Sequence, residues 1–541
     1  MSRAISPSDT AALAAAPLVD APFDARHAAA CAATSLLLGL TQGLGVNLVS
    51  TNLSSIQGSL GATAVEASWL TVAYTATNLS AVLLLAKVRF QFGLRWFATV
   101  GIIAFLAVGV LHMFVAQFAS AVLARAMLGV AAAPLSSLAQ LYMADAFPSR
   151  LRPLGLVLGF GTLQLGAPIA RVISSDLLEI ALWRGLHMIE VALSLICLAM
   201  LAVVHLKPIP TQKAFNRGDI PSFILYASAL ALLCVVLSEG RLLWWTDAPW
   251  LGTCLALAIA LFGLYVVIEL NRDQPLLDLR WLTSPFMLRF MLAVLLFRIV
   301  LSEQSVGAVG LMTALGLLND QMHELFVWIT IATALGFVLA LPAVASRQLD
   351  WLGLIALMLI IGAAWYDSGV TAQTRPAQLL VSQTILAFAT SMFLAAAIAI
   401  GFLHVVATGM KNLINLIAVL SGLQPLAALA GTAWLSSFIF LRQKMHYAHL
   451  VEALGQGDPQ VASRLGELSL PYAGALNDPQ LRAAQGVGGL VQQVTQQAAV
   501  QAYSEVFELI AFIAALTLAW LVALKLWRLK LARPLIEEVP A

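Results

Sequence analysis

Charge is what this 541-residue chain has least of: Asp, Glu, Lys and Arg together make up 10% of it. A soluble globular protein carries about 25%. The deficit excludes a separate soluble domain of useful size. Cysteine is scarce as well. Cys31, Cys197, Cys234 and Cys254 are scattered and all fall in apolar segments, which argues against disulfides and a metal motif and for small packing residues. Enzyme signatures are missing. There is no Walker loop, so the chain carries no ATP motor; there is no His pair at zinc spacing within a helix and no nucleophile elbow. The expectation is a non-enzyme without metal or cofactor. The formal charge of +2 gives no ground for nucleic-acid binding. Residues 1–26 lack the basic-then-apolar build of a cleavable signal and read as a disordered tail.

What is abundant is hydrophobicity, at 61% of residues. Long apolar runs follow one another at 28–50, 64–86, 96–116, 118–144, 153–175, 184–206, 220–238, 249–270, 286–312, 323–345, 351–366, 377–403, 411–441 and 504–527. A bilayer core of about 30 Å needs about 20 apolar residues per helical span. The expected fold class is an all-α polytopic membrane protein with fourteen transmembrane helices. The loops alternate in basic charge. Lys87, Arg89, Arg95, Arg150, Arg152, Lys207, Lys213, Arg217, Arg272, Arg280, Arg347, Lys411, Lys525, Arg528, Lys530 and Arg533 fall on one side, and the short loops of the other side offer only Arg241 and Arg375. The positive-inside rule then places both ends in the cytoplasm.

One outer loop, 442–503, is unlike the rest. His446 to Leu470 alternates apolar and polar residues at helical spacing, and Pro479 to Tyr503 is rich in Gln and Ala and reads as a second amphipathic helix. Asn477-Asp478-Pro479 supplies the turn and helix start between them. Two readings stand: a solvated hairpin capping the outer mouth, or a docking surface for a periplasmic partner.

Local patterns line up along the chain. Trp183-Arg184 with Ile189-Glu190-Val191 falls at the fifth-to-sixth junction. Arg217-Gly218-Asp219-Ile220 opens span 7, and Leu237-Ser238-Glu239-Gly240 with Trp244-Trp245 closes it. Glu269-Leu270, Asp273 and Pro275 to Leu279 follow span 8; Met445-His446-Tyr447 and Ala502 to Phe507 bound the long loop; Arg125 to Gly129 matches a fourth-span motif. In order and spacing these resemble the fourteen-span drug:proton antiporters of the major facilitator superfamily, of the EmrB inner-membrane type. The resemblance implies two six-helix bundles, 28–206 and 286–527, around a central cavity, with two inserted helices in 207–285 and cytoplasmic tails 1–27 and 528–541. It implies export of amphipathic small molecules (drugs, aromatic acids or a secreted metabolite) from the bacterial inner membrane by proton antiport. It also implies partners, a periplasmic membrane-fusion adaptor and an outer-membrane channel. Three departures stand out. Gly45 occupies the place of the family's first-span Asp, the second-to-third loop loses its acid, and the fifth-span motif survives only as Gly161, Gly166 and Pro168, with Arg171 where a small residue is usual. They motivate an alternative: a non-pumping scaffold or receptor with the same fold. A dedicated siderophore or metabolite exporter is a further one.

Charge at mid-membrane costs about 2.5–3.5 kcal/mol on insertion scales, so embedded charges single themselves out. Arg125 is either a structural Arg bonded to backbone carbonyls or, by the resemblance, a cavity residue tied to protonation or substrate. Arg298 and Glu303 share span 9 but lie five residues apart, on different sides of the helix, so each looks to another helix. Glu303 is a candidate proton carrier, unless it lies close enough to the outer mouth to stay solvated. Glu190 is the other acid well inside a span, and Arg171 or Arg125 is its expected partner. For Arg171 itself, snorkelling to water stands beside a cationic lip. Gln42, Asn78, Gln164 and Gln383 are candidates to line the cavity, with helix-to-helix bonding as the alternative. Gly39-x-x-x-Gly43 and Gly155-x-x-x-Gly159 suit close helix packing.

Overall fold

The computed structural model describes residues 24–531 apart from 116, 182, 207–210, 212, 410, 411, 456 and 457; the expected basic residues Lys207, Lys411 and Arg533 and most of the two tails lie outside it. Fourteen helices are long and apolar enough to cross a membrane: Ala25–Thr51, Ala64–Leu85, Leu94–Phe114, Phe118–Asp145, Arg152–Ser174, Trp183–Val203, Asp219–Glu239, Pro249–Leu270, Pro285–Ala314, Asp320–Ala345, Leu349–Asp367, Pro376–Thr408, Asn415–Ala453 and Pro479–Trp527. They are spans 1 to 14 below. No strand occurs among the described residues. Lipid offers no hydrogen-bond partners, so each spanning backbone must satisfy itself within a helix. Local signals fix the starts. Thr63 and Glu66 form a reciprocal capping box at span 2, Ser284 caps span 9 through the Met287 amide, and Pro249, Pro285, Pro376 and Pro479 each take a first helical position.

Spans 1–6 form one six-helix bundle and spans 9–14 the other. In the first, span 1 packs on spans 4, 5 and 6, and span 3 on spans 4 and 6. In the second, span 12 lies against spans 10 and 11, and span 14 against spans 11 and 13. The halves meet through span 5 against spans 10 and 12 and span 2 against span 13. Leu83, Leu154, Val157 and Phe160 of the first half join one apolar core with Phe290, Phe337 and Phe393 of the second. Span 5 breaks at Leu165, between helices Arg152–Gln164 and Gly166–Ala181. There Gly166 lies against the Gly43 backbone, and a Cβ on Gly166 would stand 2.4 Å from the Gly43 Cα. The small residues serve close packing, as their spacing suggests.

The inserted spans 7 and 8 pack on each other and span 7 on span 2. Ion pairs and hydrogen bonds fasten them. The buried Asp219 carboxylate accepts from Lys87 Nζ at 2.8 Å and from Arg272, and Arg272 also donates to Glu269 Oε1 at 2.7 Å. The remaining Glu269 oxygen takes the Leu276 amide. At the opposite end the Ser68 hydroxyl donates to buried Glu239, and Trp245 Nε1 donates to Ser437 of span 13 at 2.8 Å. The short motifs at either end of the insert are therefore its fastenings.

The segment expected as loop 442–503 is more helical than its polarity suggests. Span 13 runs on to Ala453, a short helix Pro459–Ser469 follows, and one helix continues from Pro479 to Leu531. The extensions hold together because Arg442 pairs with both Glu505 oxygens and the His446 ring stands 3.0 Å from Glu505 Oε1. The face carrying this structure is the hairpin face below, and the one carrying residue 24 the terminal face.

Candidate functional site

The second half holds two carboxyls on one amide. Span 9 widens into a π-helical stretch at Glu303–Ala308, a departure from α-geometry that recurs at functional sites. Glu303, the first residue of that stretch, is fully enclosed. Its Oε1 accepts from Gln383 Nε2 at 2.8 Å, and the same amide donates to Asp367 Oδ2 at 2.8 Å. Glu303 Oε2, Asp367 Oδ1 and Gln383 Oε1 are buried without a hydrogen-bond partner. Three spans, 9, 11 and 12, thus converge on a compact polar site inside an apolar core. Burying polar groups this incompletely satisfied is costly, so packing alone gives no reason for it.

The first half holds Arg125, on span 4 and 2% exposed. Its Nη1 donates to the Gly45 carbonyl at 3.0 Å, its Nε reaches towards the Leu70 carbonyl at 3.5 Å, and the guanidinium lies 4.5 Å over the Tyr74 ring. It makes no salt bridge with a described residue. Carbonyl bonding, the structural alternative, is what the geometry displays. Glu190 meets neither Arg171 nor Arg125 directly. Its Oε2 stands 2.8 Å from the His187 ring, one helical turn back, which meets it first. His187 in turn stacks on His112 of span 3, with ring centroids 4.2 Å apart. Glu190 Oε1, the Nε2 atoms of both histidines and the Tyr74 hydroxyl are buried without partners.

The two sites occupy corresponding places in their halves. Arg125 stands seven residues after the start of span 4, and Gln383 seven after the start of span 12. Each reaches to the first helix of its own half, Arg125 to Gly45 of span 1 and Gln383 to Glu303 of span 9. The residue reached is Gly45 in the first half and Glu303 in the second.

The other candidates are dispersed. Arg298 is half-buried, donates through Nε to the Gln424 carbonyl of span 13 at 3.2 Å, and has no carboxylate partner among the described residues. Asn78 donates to the Gly129 carbonyl at 2.9 Å, a helix-to-helix bond. Gln42 is buried in span 1, and Gln164 half-buried at the break in span 5. Arg171 is bonded across the halves. Its Nη1 donates to Asn319 at 2.9 Å, Asn319 donates to Asn52 and to the Thr51 carbonyl, and His323 meets the Val172 carbonyl at 3.2 Å. This network ties the halves at the hairpin face. Asp367, His112 and His187 escape a reading of the sequence. Asp367 falls one residue beyond its apolar run, where a carboxylate reads as solvated, and the two histidines are far apart in the chain.

Residues 35–374, more than half of the chain, match the Major Facilitator Superfamily family model. The chain belongs to that superfamily, which is a family of membrane transporters. Among its relatives, the major facilitator superfamily multidrug transporter mfsC of Aspergillus fumigatus is 24% identical over 43% of this chain and 45% of its own. The probable multidrug resistance protein EmrY of Escherichia coli is 21% identical over 86% of this chain and 90% of its own. The chain spans about half the length or less of mfsC and of two other curated relatives it matches. Among solved structures, the human organic anion transporter MFSD10 has a TM-score of 0.53 at 13% identity, covering 91% of this chain and 99% of that one. That likeness is one of fold.

Proposed function

We propose that this protein is a proton-driven exporter of amphipathic small molecules, of the EmrB type among fourteen-span antiporters. The observation that carries the reading is the Glu303–Gln383–Asp367 bridge. Antiport needs a group that changes charge during the cycle, and span 1 has only Gly45 at the place where the family keeps its acid. Two carboxyls on one amide suit the task. Two negative charges side by side in a dry site repel strongly, and a single proton shared between them relieves the repulsion. Each proton crossing 100 mV yields about 2.3 kcal/mol, which export can draw on. Arg298 adds a hint of cargo. A mid-span cation without an acid partner favours an amphipath with an anionic head.

The alternation of basic loops supports a bacterial inner-membrane location with both ends cytoplasmic. The hairpin face is then periplasmic, and its extended helices supply a surface for a membrane-fusion adaptor and, through it, an outer-membrane channel. The opposing reading, a scaffold that no longer pumps, has Gly45 in its favour and the costly buried acids against it.

The test is proton-driven uptake in inverted vesicles. Glu303→Gln keeps size and hydrogen bonding but fixes the charge at zero. It should abolish accumulation while leaving cargo binding measurable, and Glu303→Asp should retain part of the activity. Asp367→Asn should impair pumping too. If both neutral variants pump like the parent, the bridge is not the carrier and Glu190→Gln decides whether it lies in the other half; a parent that accumulates nothing on a proton gradient overturns the exporter reading.

A further inference from the structure

One cluster of chemically capable side chains lies outside the transport core. On the terminal face, span 1 presents His27 and Cys31 four residues apart, hence on one side of the helix. Asp145, the last residue of span 4, faces them. His27 Nε2 stands 3.4 Å from Cys31 Sγ and 3.8 Å from Asp145 Oδ2, and the three ligand atoms all lie within 4.8 Å of one another. Cys31 is fully buried, and Asp145 Oδ2 is buried with no hydrogen-bond partner. His27 keeps 42% of its side chain exposed, which leaves a path in from water. A hydrogen-bonded triad would have satisfied the Asp145 oxygen; here it points into the cluster unmet.

We propose that His27, Cys31 and Asp145 form a zinc site that fastens the start of span 1 to the end of span 4. The spacing fits the ion. Zn–N and Zn–O bonds of about 2.0–2.1 Å and a Zn–S bond of about 2.3 Å put tetrahedral ligand atoms about 3.4–3.6 Å apart. Two observed separations, 3.4 and 3.8 Å, are near that spacing, and the Cys31–Asp145 pair, within 4.8 Å, closes by rotation of the two side chains towards the ion. Thiolate, imidazole and carboxylate form a mixed donor set of the kind this borderline-soft ion takes. Three protein ligands leave the fourth position to water, which the exposed side of His27 admits. Binding replaces the Cys31 thiol proton, which passes to solvent as the S–Zn bond forms, so affinity falls as pH is lowered.

The experiment uses the full-length protein in detergent after chelator treatment. Added Co2+ should give a thiolate-to-cobalt charge-transfer band that one equivalent of Zn2+ removes. Cys31→Ser should abolish the band; His27→Ala and Asp145→Asn should each weaken binding at least tenfold. Cys197→Ala and Cys234→Ala should leave it intact. Zinc should also raise the unfolding temperature of the parent, a readout that needs no variant to fold. A band that persists in Cys31→Ser, the lack of any band, or an unfolding temperature unchanged by zinc would each overturn the proposal.

Discussion

Arg125 shows what a single buried residue does here. Its guanidinium serves the Gly45 carbonyl and the Tyr74 ring at once, and planarity lets one group do both. Arg125→Ala removes the bond to the Gly45 carbonyl and the guanidinium's contact with the Tyr74 ring. A hydrogen bond from a charged group contributes about 1.5–3 kcal/mol. We expect a lower unfolding temperature in detergent and transport reduced at least tenfold, with insertion preserved. Arg125→Lys keeps the charge but not the fork, and should fall between. An alanine variant with parental stability and transport would remove Arg125 from both roles. At this scale the sequence was legible where charge met a long apolar run. Arg125, Glu190, Arg298 and Glu303 announced themselves by cost. The partners did not, because Asp367 sits at a span end and His187 gains meaning only when tertiary packing brings His112 to it.

Among the elements, the inserted pair is the sharpest case. Spans 7 and 8 have no place in a twelve-helix arrangement of two bundles, so something must hold them to the rest. Asp219 does this by accepting from Lys87 of the helix that carries span 2 and from Arg272 just after span 8. Breaking a buried ion pair leaves an uncompensated charge and costs about 3–5 kcal/mol. Because Lys87 and Arg272 keep some contact with water, Asp219→Asn should cost about 3 kcal/mol, the low end of that range. Thermal unfolding in detergent reads the loss. An unchanged midpoint would mean that apolar packing on span 2 suffices. Element positions were easily read from the sequence, since apolar length leaves few alternatives. The ends were harder. Spans 13 and 14 continue past their apolar stretches as amphipathic helices, and polarity hid a continuity that helical periodicity alone sustains.

In the whole molecule, two halves of corresponding build carry different chemistry at corresponding places. The first half has a cation facing a bare backbone at Gly45; the second has an amide facing the Glu303 carboxyl. If the proposed coupling depends on an ionisable acid on the first helix of a half, rather than on which half, the acid should be transferable. Gly45→Asp places a carboxylate beside Arg125, the natural counter-ion. Space is tight but not closed: a Cβ at Gly45 would stand 3.2 Å from the Phe105 ring and 3.6 Å from the Tyr74 hydroxyl, both on side chains able to give a few tenths of an ångström. Glu303→Gln alone should not accumulate cargo. Adding Gly45→Asp to it should restore a measurable part of proton-driven transport, with proton movement detected in the same vesicles. Gly45→Asp by itself should leave the parent able to pump, since the Glu303 site is untouched. Recovery of transport would assign coupling to the pseudo-symmetric position. A double variant that inserts and binds cargo but stays silent would tie coupling to the Glu303–Gln383–Asp367 arrangement itself, where the second carboxyl, absent from the first half, is the difference that matters.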